Sequence, residues 1–319
     1  MIVKRSSSLV SVVIPTYNRK DMLIHAINSA RGQTYPVNEI IVVDDASDFE
    51  VDTYLKEIYD EACGATLKVI RNQVSQGAAK SRNTGVENAA SDFVAFLDSD
   101  DYWLPEKIEK QMRVFQTFLD VGLVSCDLFE VDRYGNYLKS NRQLLDSDIW
   151  RHLLEGWTSF PNTSSLLFRK DIFVELGGFD SQLTSCQDHD FWMRIGQSGT
   201  MVRYVDEGLY VIITEASNRI SIDYTKRMKG VHTFLSKWRK DILLYGGEKH
   251  FRWYRNNYLV LAAFNILVAK VRNREIREAI EIYLTNFVDN PMFYKKLARS
   301  LINKIVPEKH IITRRKLEY

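Results

Sequence analysis

The chain is predicted to fold as an α/β protein, with a mixed, mostly parallel sheet flanked by helices and a C-terminal helical extension. Three observations predict this. Short β-branched runs alternate with segments of helical period through the first half. The runs are apolar throughout rather than at every second residue, as in strands covered on both faces. From about residue 224 the sequence reads as helix, with no stretch rich in turn residues until "YGGEKH" (245–250).

The first four strands are "LVSVVI" (9–14), "EIIVVD" (39–44), "LKVIR" (67–71) and "FVAFLD" (93–98), with helical segments at 21–30, 50–61 and 78–90 between them. Each strand stops in a polar stretch: "PTYNR" (15–19), "DDAS" (44–47), "NQVSQG" (72–77) and "DSDD" (98–101). In parallel sheets ligands sit outside the carboxyl ends of the strands, so these four stretches mark the candidate site. Residues 103–119 predict a helix with Pro105 in its first turn. "GLVSCDLFEVD" (122–132) and "SSLLFRK" (164–170) predict further strands, and "RYGNY" (133–137) a turn. "CQDHDFWMRIGQSG" (186–199) predicts a helix closed by glycine. The expected division is a first domain over residues 1–222 and a helical region over 223–319.

Composition narrows the function. At 319 residues and 45% hydrophobic content, the chain can bury a sizeable core. Lys plus Arg total 43 against 41 for Asp plus Glu, which gives no basic excess for nucleic acid. Cys63, Cys126 and Cys186 are odd in number and widely spaced, fitting neither a disulfide framework nor a zinc cluster. A reducing cytoplasm is the expected home. The apolar run in "MIVKRSSSLVSVVIP" is too short for a signal peptide and reads as the first strand. "YLVLAAFNILVAKV" (258–271) falls short of the roughly 20 residues a spanning helix needs, and reads as a buried helix.

"FLDSDDYWLP" (96–105) concentrates charge. In an extended stretch Asp98 and Asp100 fall on the same side. Two neighbouring carboxylates repel unless a cation lies between them, and Mg²⁺ or Mn²⁺ with oxygen ligands is one natural occupant. The same residues also suit an ordinary strand-to-helix turn, with Ser99 or Asp101 capping.

Five motifs, in this order, resemble family 2 glycosyltransferases: "VSVVIPTYNR" (10–19), "QTYPVNEIIVVDDAS" (33–47), "NQVSQGAAKSRNTGV" (72–86), "FLDSDD" (96–101) and "GGFD" with "QDHDFWMR" (177–194). The resemblance covers about residues 9–222. It implies a GT-A fold, inverting transfer from a nucleotide-diphosphate sugar, and a divalent metal, Mn²⁺ or Mg²⁺, at the "DSD" element. Carried over by position, it implies that Pro15, Thr16 and Tyr17 line the base and ribose pocket. It also implies that Asp45 receives the N3–H of uracil, with Asp44 the weaker choice, and that Arg82, ahead of Lys80, lies near the diphosphate. Asp98 and Ser99 then border the nucleotide, and Asp100, with Asp98, holds the metal. The donor implied is a UDP-sugar.

The resemblance places the general base of the inverting transfer at Asp188. Asp190, two residues on, is expected to raise the proton affinity of Asp188 by repulsion. The local pattern also reads as helix chemistry: "SCQD" (185–188) as a capping box with Ser185 at the N-cap, and Asp190 with Arg194 as an i,i+4 pair. Many GT-A enzymes add a metal-binding histidine near a "yRxH" stretch, and "YVIITEASNRIS" (210–221) contains none, so water is expected to fill more of the metal's shell.

Tyr102, Trp103, Trp157, Phe179 and Trp192 flank the acidic motifs, and Trp103 and Trp192 are the favoured sugar-packing rings, although such aromatics are commonly core. The segment 292–319 sets Leu297, Leu301 and Ile305 on one stripe, and Lys295, Lys296, Arg299, Lys304, Arg314, Arg315 and Lys316 supply excess positive charge. It suits either peripheral contact with an anionic membrane, with a lipid-linked glycan as acceptor, or packing on the domain or a second copy in a homo-oligomer. The expected activity is sugar transfer to a carbohydrate or lipid-linked acceptor. The competing reading is a catalytically silent scaffold that binds nucleotide or a partner transferase.

Overall fold

The computed structural model describes residues 9–59, 64–132, 136–141, 148–156, 160–213, 223–272, 275, 277–278 and 280–282. Cys63, Trp157, the 133–135 part of the expected turn, the 214–221 part of the histidine-free stretch, and the basic segment 292–319 lie outside the described residues.

In chain order the first elements are β1 (Val10–Thr16), α1 (Lys20–Arg31), β2 (Glu39–Asp44), α2 (Val51–Ile58), β3 (Thr66–Arg71), α3 (Ala78–Glu87) and β4 (Phe93–Phe96). β5 (Asp101–Trp103), α4 (Lys107–Thr117), β6 (Val121–Val131), β7 (Tyr137–Asn141) and α5 (Ile149–Leu154) follow. Then come a 3₁₀ turn (Thr163–Ser165), β8 (Leu167–Arg169), α6 (Lys170–Glu175), α7 (Gln187–Ser198), β9 (Met201–Ile213), α8 (Tyr224–Lys237) and α9 (Arg239–Arg272).

β3, β2, β1 and β4 lie side by side and parallel, joined by helices as the strand pattern predicts. Beyond β4 the sheet is mixed: β8 runs antiparallel to β4 and to β6, β9 is parallel to β6, and β5 closes the far edge antiparallel to β9. β7 pairs antiparallel with β6.

The uniformly apolar strands serve two cores. Val12, Ile14, Ile40 and Val42 join Leu23, Ile27, Met112 and Phe115 on the face of α1 and α4. Val13, Ile41 and Val43 join Phe96, Phe168, Phe173, Phe191 and Trp192 on the other face. Gly85 lets α3 ride directly on β1, since a β-carbon there would overlap Val13. The helical region shares this second core: Val231, Phe234 and Trp238 of α8 and Tyr254 and Tyr258 of α9 are buried in the same cluster. α9 breaks at Gly247, whose φ of 70° suits glycine. No helix among the described residues is long and apolar enough to cross a membrane.

The helix expected over 103–119 begins later. Trp103 belongs to β5, Leu104 N–H donates to Leu209 O at 2.9 Å, and α4 starts at Lys107, so Pro105 lies in the turn before the helix. The cause is β9, whose ladder captures 101–103. β9 itself was missed because its first half, "MVRYVDEG", carries charge and leaves its side chains half-buried or exposed.

Burial also takes in Lys107, which is fully enclosed, lies 4.3 Å over the Trp103 ring, and donates from Nζ to Gln111 Oε1 at 2.8 Å. With no carboxylate paired to it among the described residues, desolvation lowers its pKa from 10.5 to about 8. A group whose folded pKa is depressed in this way leaves the unfolded chain holding more protons between about pH 8 and 10.5, so its contribution to stability rises with pH across that window. Urea unfolding of the wild type and Lys107→Met across pH 7.5–10.5 is expected to show the wild type gaining up to about 3 kcal/mol relative to the variant. Parallel curves would mean that Lys107 carries no burial penalty.

Candidate active site

The ends of β1 and β2 are tied together. Asp45 N–H donates to Thr16 O at 2.9 Å, and Asn18 exchanges side-chain bonds with Asp48, accepting from its N–H and donating to its carboxylate, each at 2.8 Å. The turns demand left-handed backbone at Asn18 (φ 51°) and Ala46 (φ 65°), a strain tolerated in asparagine and costlier in alanine. Pro15 and Thr16 are buried at the end of β1, while Tyr17 is 51% exposed. Thr16 Oγ1 is buried without a hydrogen-bond partner, an unsatisfied group of the kind a ligand would complete.

The two acids of "VVDD" differ in task. Asp44 accepts from Ser47 N–H at 2.9 Å and pairs with Arg71 at 2.6 Å, which makes it a strand-end residue bonding its own loop. Asp45 Oδ1 accepts from Asn72 Nδ2 and Gln76 N–H at 2.8 Å and from Ser81 Oγ at 3.3 Å; its Oδ2 accepts from Ser75 Oγ at 2.7 Å and Gly77 N–H at 2.9 Å. Burial works to raise this carboxyl. The Gln76 N–H, then Asn72, Ser75 and Gly77, outweigh it and hold Asp45 below the ordinary carboxylate range. A carboxylate offers about four lone-pair sites, so Asp45 is saturated by the loop before α3. A uracil N3–H would have to exchange with one of these donors.

At the end of β4, Arg82 of α3 bonds Asp98 Oδ1, and Thr163 Oγ1 donates to Asp98 Oδ2 at 3.1 Å. Arg19 Nη2 lies 3.7 Å from Asp100 Oδ2. Ser99 is buried. Asp101 turns inward, accepting from Ser164 Oγ at 2.6 Å, and the same Ser164 oxygen accepts from Asp98 N–H at 3.0 Å. The 3₁₀ turn therefore sets the acidic corner, a role for "NTSS" (162–165) that sequence reading missed although its run of hydroxyls was visible.

The Asp98 and Asp100 side chains remain 29% and 39% exposed, and no three His, Cys, Asp or Glu cluster as metal ligands among the described residues. Two part-exposed carboxylates suit Mg²⁺ or Mn²⁺, which take the rest of their shell from water and phosphate oxygens. The donor set fits such an ion.

Residues 160–165 connect this corner to α7. The Phe160 ring packs on His189 at 4.8 Å, and Trp192 Nε1–H donates to Pro161 O at 3.3 Å. From α3, Asn83 exchanges hydrogen bonds with the backbone of Phe179, and Arg82 lies over the Phe179 ring.

The expected capping box does not form. Cys186, at φ 63°, is the N-cap and makes no side-chain cap bond; Ser185 Oγ instead donates to Arg227 O at 2.9 Å. The left-handed turn at 186 carries Ser185 off the helix axis and onto α8. Asp188 lies exposed in the first turn of α7, where the helix dipole favours its charge. Desolvation by neighbouring atoms pulls its pKa up, but His189, including its backbone N–H, and Arg227 outweigh this and hold it below the usual range.

The expected upward push from Asp190 is absent because Asp190 is neutralised. Fully buried, it pairs with Arg194 at 2.9 Å and Lys237 at 2.8 Å and accepts from Trp238 Nε1 at 2.9 Å. Its i,i+4 pair with Arg194 forms as the spacing predicts. Trp103 and Trp192 are 2% and 1% exposed, with both indole N–H groups bonded to backbone carbonyls, so neither presents a face to a sugar; Phe179 is likewise core. Tyr102 is half-buried.

The family model described as "Glycosyl transferase family 2" matches residues 11–177, just over half of the chain. The chain belongs to this family and is a glycosyltransferase. An uncharacterized glycosyltransferase of Haemophilus influenzae is 28% identical over 229 residues, 70% of this chain and 74% of the relative. The Escherichia coli UDP-Glc:alpha-D-GlcNAc-diphosphoundecaprenol beta-1,3-glucosyltransferase WfaP is 38% identical over 109 residues, 34% of this chain and 42% of WfaP. Among solved structures, the mannosyltransferase PcManGT of Pyrobaculum calidifontis, in complex with GDP-Man and Mn²⁺, superposes with a TM-score of 0.56 at 17% identity over 95% of this chain and 84% of its own. S. aureus TarS with UDP-GlcNAc gives 0.53 at 17% identity over 86% and 89%. The mixed, mostly parallel sheet with its flanking helices is thus the GT-A fold.

Proposed function

We propose that this enzyme moves a sugar, with inversion, from a UDP-sugar to a hydroxyl of a glycan or lipid-linked glycan. The observation that carries the reading is the charge arrangement at the end of β4. Two arginines, Arg82 and Arg19, and two part-exposed carboxylates, Asp98 and Asp100, share one corner beside the buried, unpartnered Thr16 hydroxyl. That set matches a metal-bound diphosphate, with carboxylates for the cation and guanidinium groups for phosphate oxygens. UDP rather than GDP is favoured by the donor in WfaP's name. The acceptor WfaP's name states, a sugar on a lipid diphosphate, supports the lipid-linked reading.

In this scheme Pro15, Thr16 and Tyr17 border the base and ribose, and uracil exchanges its N3–H for one of the donors now on Asp45. Ser99 lies between the two acids that border the nucleotide. Asp188 takes the proton from the acceptor hydroxyl as its oxygen attacks the anomeric carbon, and the bond to the diphosphate breaks with its electron pair on the leaving phosphate. Arg82 and Arg19 offset charge developing there. A bound Mn²⁺ or Mg²⁺, held by Asp100 and Asp98, would supply Lewis-acid stabilisation of the leaving group.

A panel of UDP- and GDP-sugars with Mn²⁺, read by nucleotide release, tests this. A UDP-sugar is expected to turn over, and EDTA to stop it. Asp100→Ala is expected to weaken UDP binding about tenfold in Mn²⁺ and to match the wild type in EDTA. Undiminished turnover in EDTA would remove the metal, and exclusive use of GDP-sugars would remove the uracil reading.

A further inference from the structure

α8 is fastened along the segment that carries Asp188. Thr184 Oγ1 donates to Lys226 O at 2.7 Å and Ser185 Oγ to Arg227 O at 2.9 Å. Gly230 touches Ser185 so closely that a β-carbon there would collide with its backbone and hydroxyl. One helix length further on, Lys237 and Trp238 hold the buried Asp190. α8 is therefore a rigid mount whose first turns face the start of α7.

The cations of that mount are not equivalent. Lys237 is consumed by Asp180 and Asp190, at 2.7 and 2.8 Å, and Lys226 lies 3.9 Å from Asp223. Arg227 is half-buried, and among the described residues no carboxylate or other group pairs with its guanidinium. Its field reaches Cys186, Asp188 and His189, the three residues that open α7. A half-buried guanidinium that forms no ion pair among the described residues, on a backbone held by Ser185, is suited to take a planar or tetrahedral oxyanion through two parallel N–H bonds.

We propose that Arg227 is an acceptor subsite that binds an oxyanion, foremost a phosphate, on the sugar whose hydroxyl Asp188 deprotonates. The inference rests on the reading of Asp188 as base. A substituent on the anomeric carbon of the acceptor and the hydroxyl that attacks lie across one sugar ring, so a base and a phosphate-binding cation for one acceptor belong on neighbouring elements. α7 and α8 are such neighbours. Arg82 and Arg19, in contrast, lie at the end of β4 with Asp98 and Asp100.

The test fills the donor site first. Enzyme saturated with UDP and Mn²⁺ is titrated calorimetrically with geranyl phosphate, inorganic phosphate and glucuronate. The wild type is expected to bind geranyl phosphate, Arg227→Gln to weaken it about tenfold, and Arg227→Lys to recover part of the loss, since a point charge replaces the fork. Preference for glucuronate, equally dependent on Arg227, would support the oxyanion site and assign it to an acidic sugar. Equal binding of inorganic phosphate and geranyl phosphate would support the anion contact without a lipid chain. Anion binding absent from the wild type, or unchanged in Arg227→Gln of wild-type thermal stability, overturns the proposal. Weakened UDP affinity in Arg227→Gln also overturns it, by moving the cation to the donor. Asp188→Asn is expected to keep the anion site, so transfer by that variant would sink the base assignment while leaving Arg227's role standing.

Discussion

Asp188→Asn is expected to cut sugar transfer by about 10²–10⁴-fold, the contribution of a positioned general base, while UDP affinity stays that of the wild type. The substitution keeps shape and removes the proton-accepting oxygen. Asp188 is exposed at the first turn of α7 and makes no ion pair among the described residues, so the loss should fall on kcat. The pH profile gives a second check. His189 and Arg227 hold the carboxyl below its ordinary range, so the base stays ionised through neutrality and is lost only as pH falls through that depressed value. An acid limb in kcat/KM near neutrality would point to another group. Full transfer by the variant would remove Asp188 from the chemistry.

Asp190→Ala is expected to destabilise the fold by about 3–5 kcal/mol, the cost of breaking a buried charge network from one side. Asp190 is wholly enclosed and holds Arg194, Lys237 and Trp238 at once. Its removal strands the Trp238 N–H and two cations between α7 and α8. Asp190→Asn, which keeps one acceptor oxygen for these donors, should cost less, and the order can be read from urea midpoints. A midpoint unchanged in Asp190→Ala would mean that the network contributes nothing to holding the two helices together.

The parallel half of the sheet was legible because Val12, Ile14, Ile40, Ile41 and Val42 are buried on both faces and carry no competing pattern. The mixed half was not. β5 is three residues long and exists only because β9 offers a ladder, and β9 begins among charged residues. Asp98, Asp100 and Asp188 could be named as candidates because motifs carry them to the end of β4 and the start of α7. Lys107 and Arg227 could not, since a basic residue in the first turns of a helix ordinarily reads as surface, and only tertiary packing encloses the one and isolates the other. Trp103 and Trp192 misled for the converse reason: an aromatic beside an acidic motif looks the same whether it faces a sugar or fills the core.

The interdigitation of α8 with α7 bears on how acceptor specificity could change. Grafting a C-terminal half from another enzyme at residue 222 would part Lys237 and Trp238 from Asp190, and would bare Phe191 and Trp192. Chimaeras should survive only if the crossover falls ahead of α7, so that α7 and α8, the helices of the proposed base and of Arg227, are inherited as one cassette.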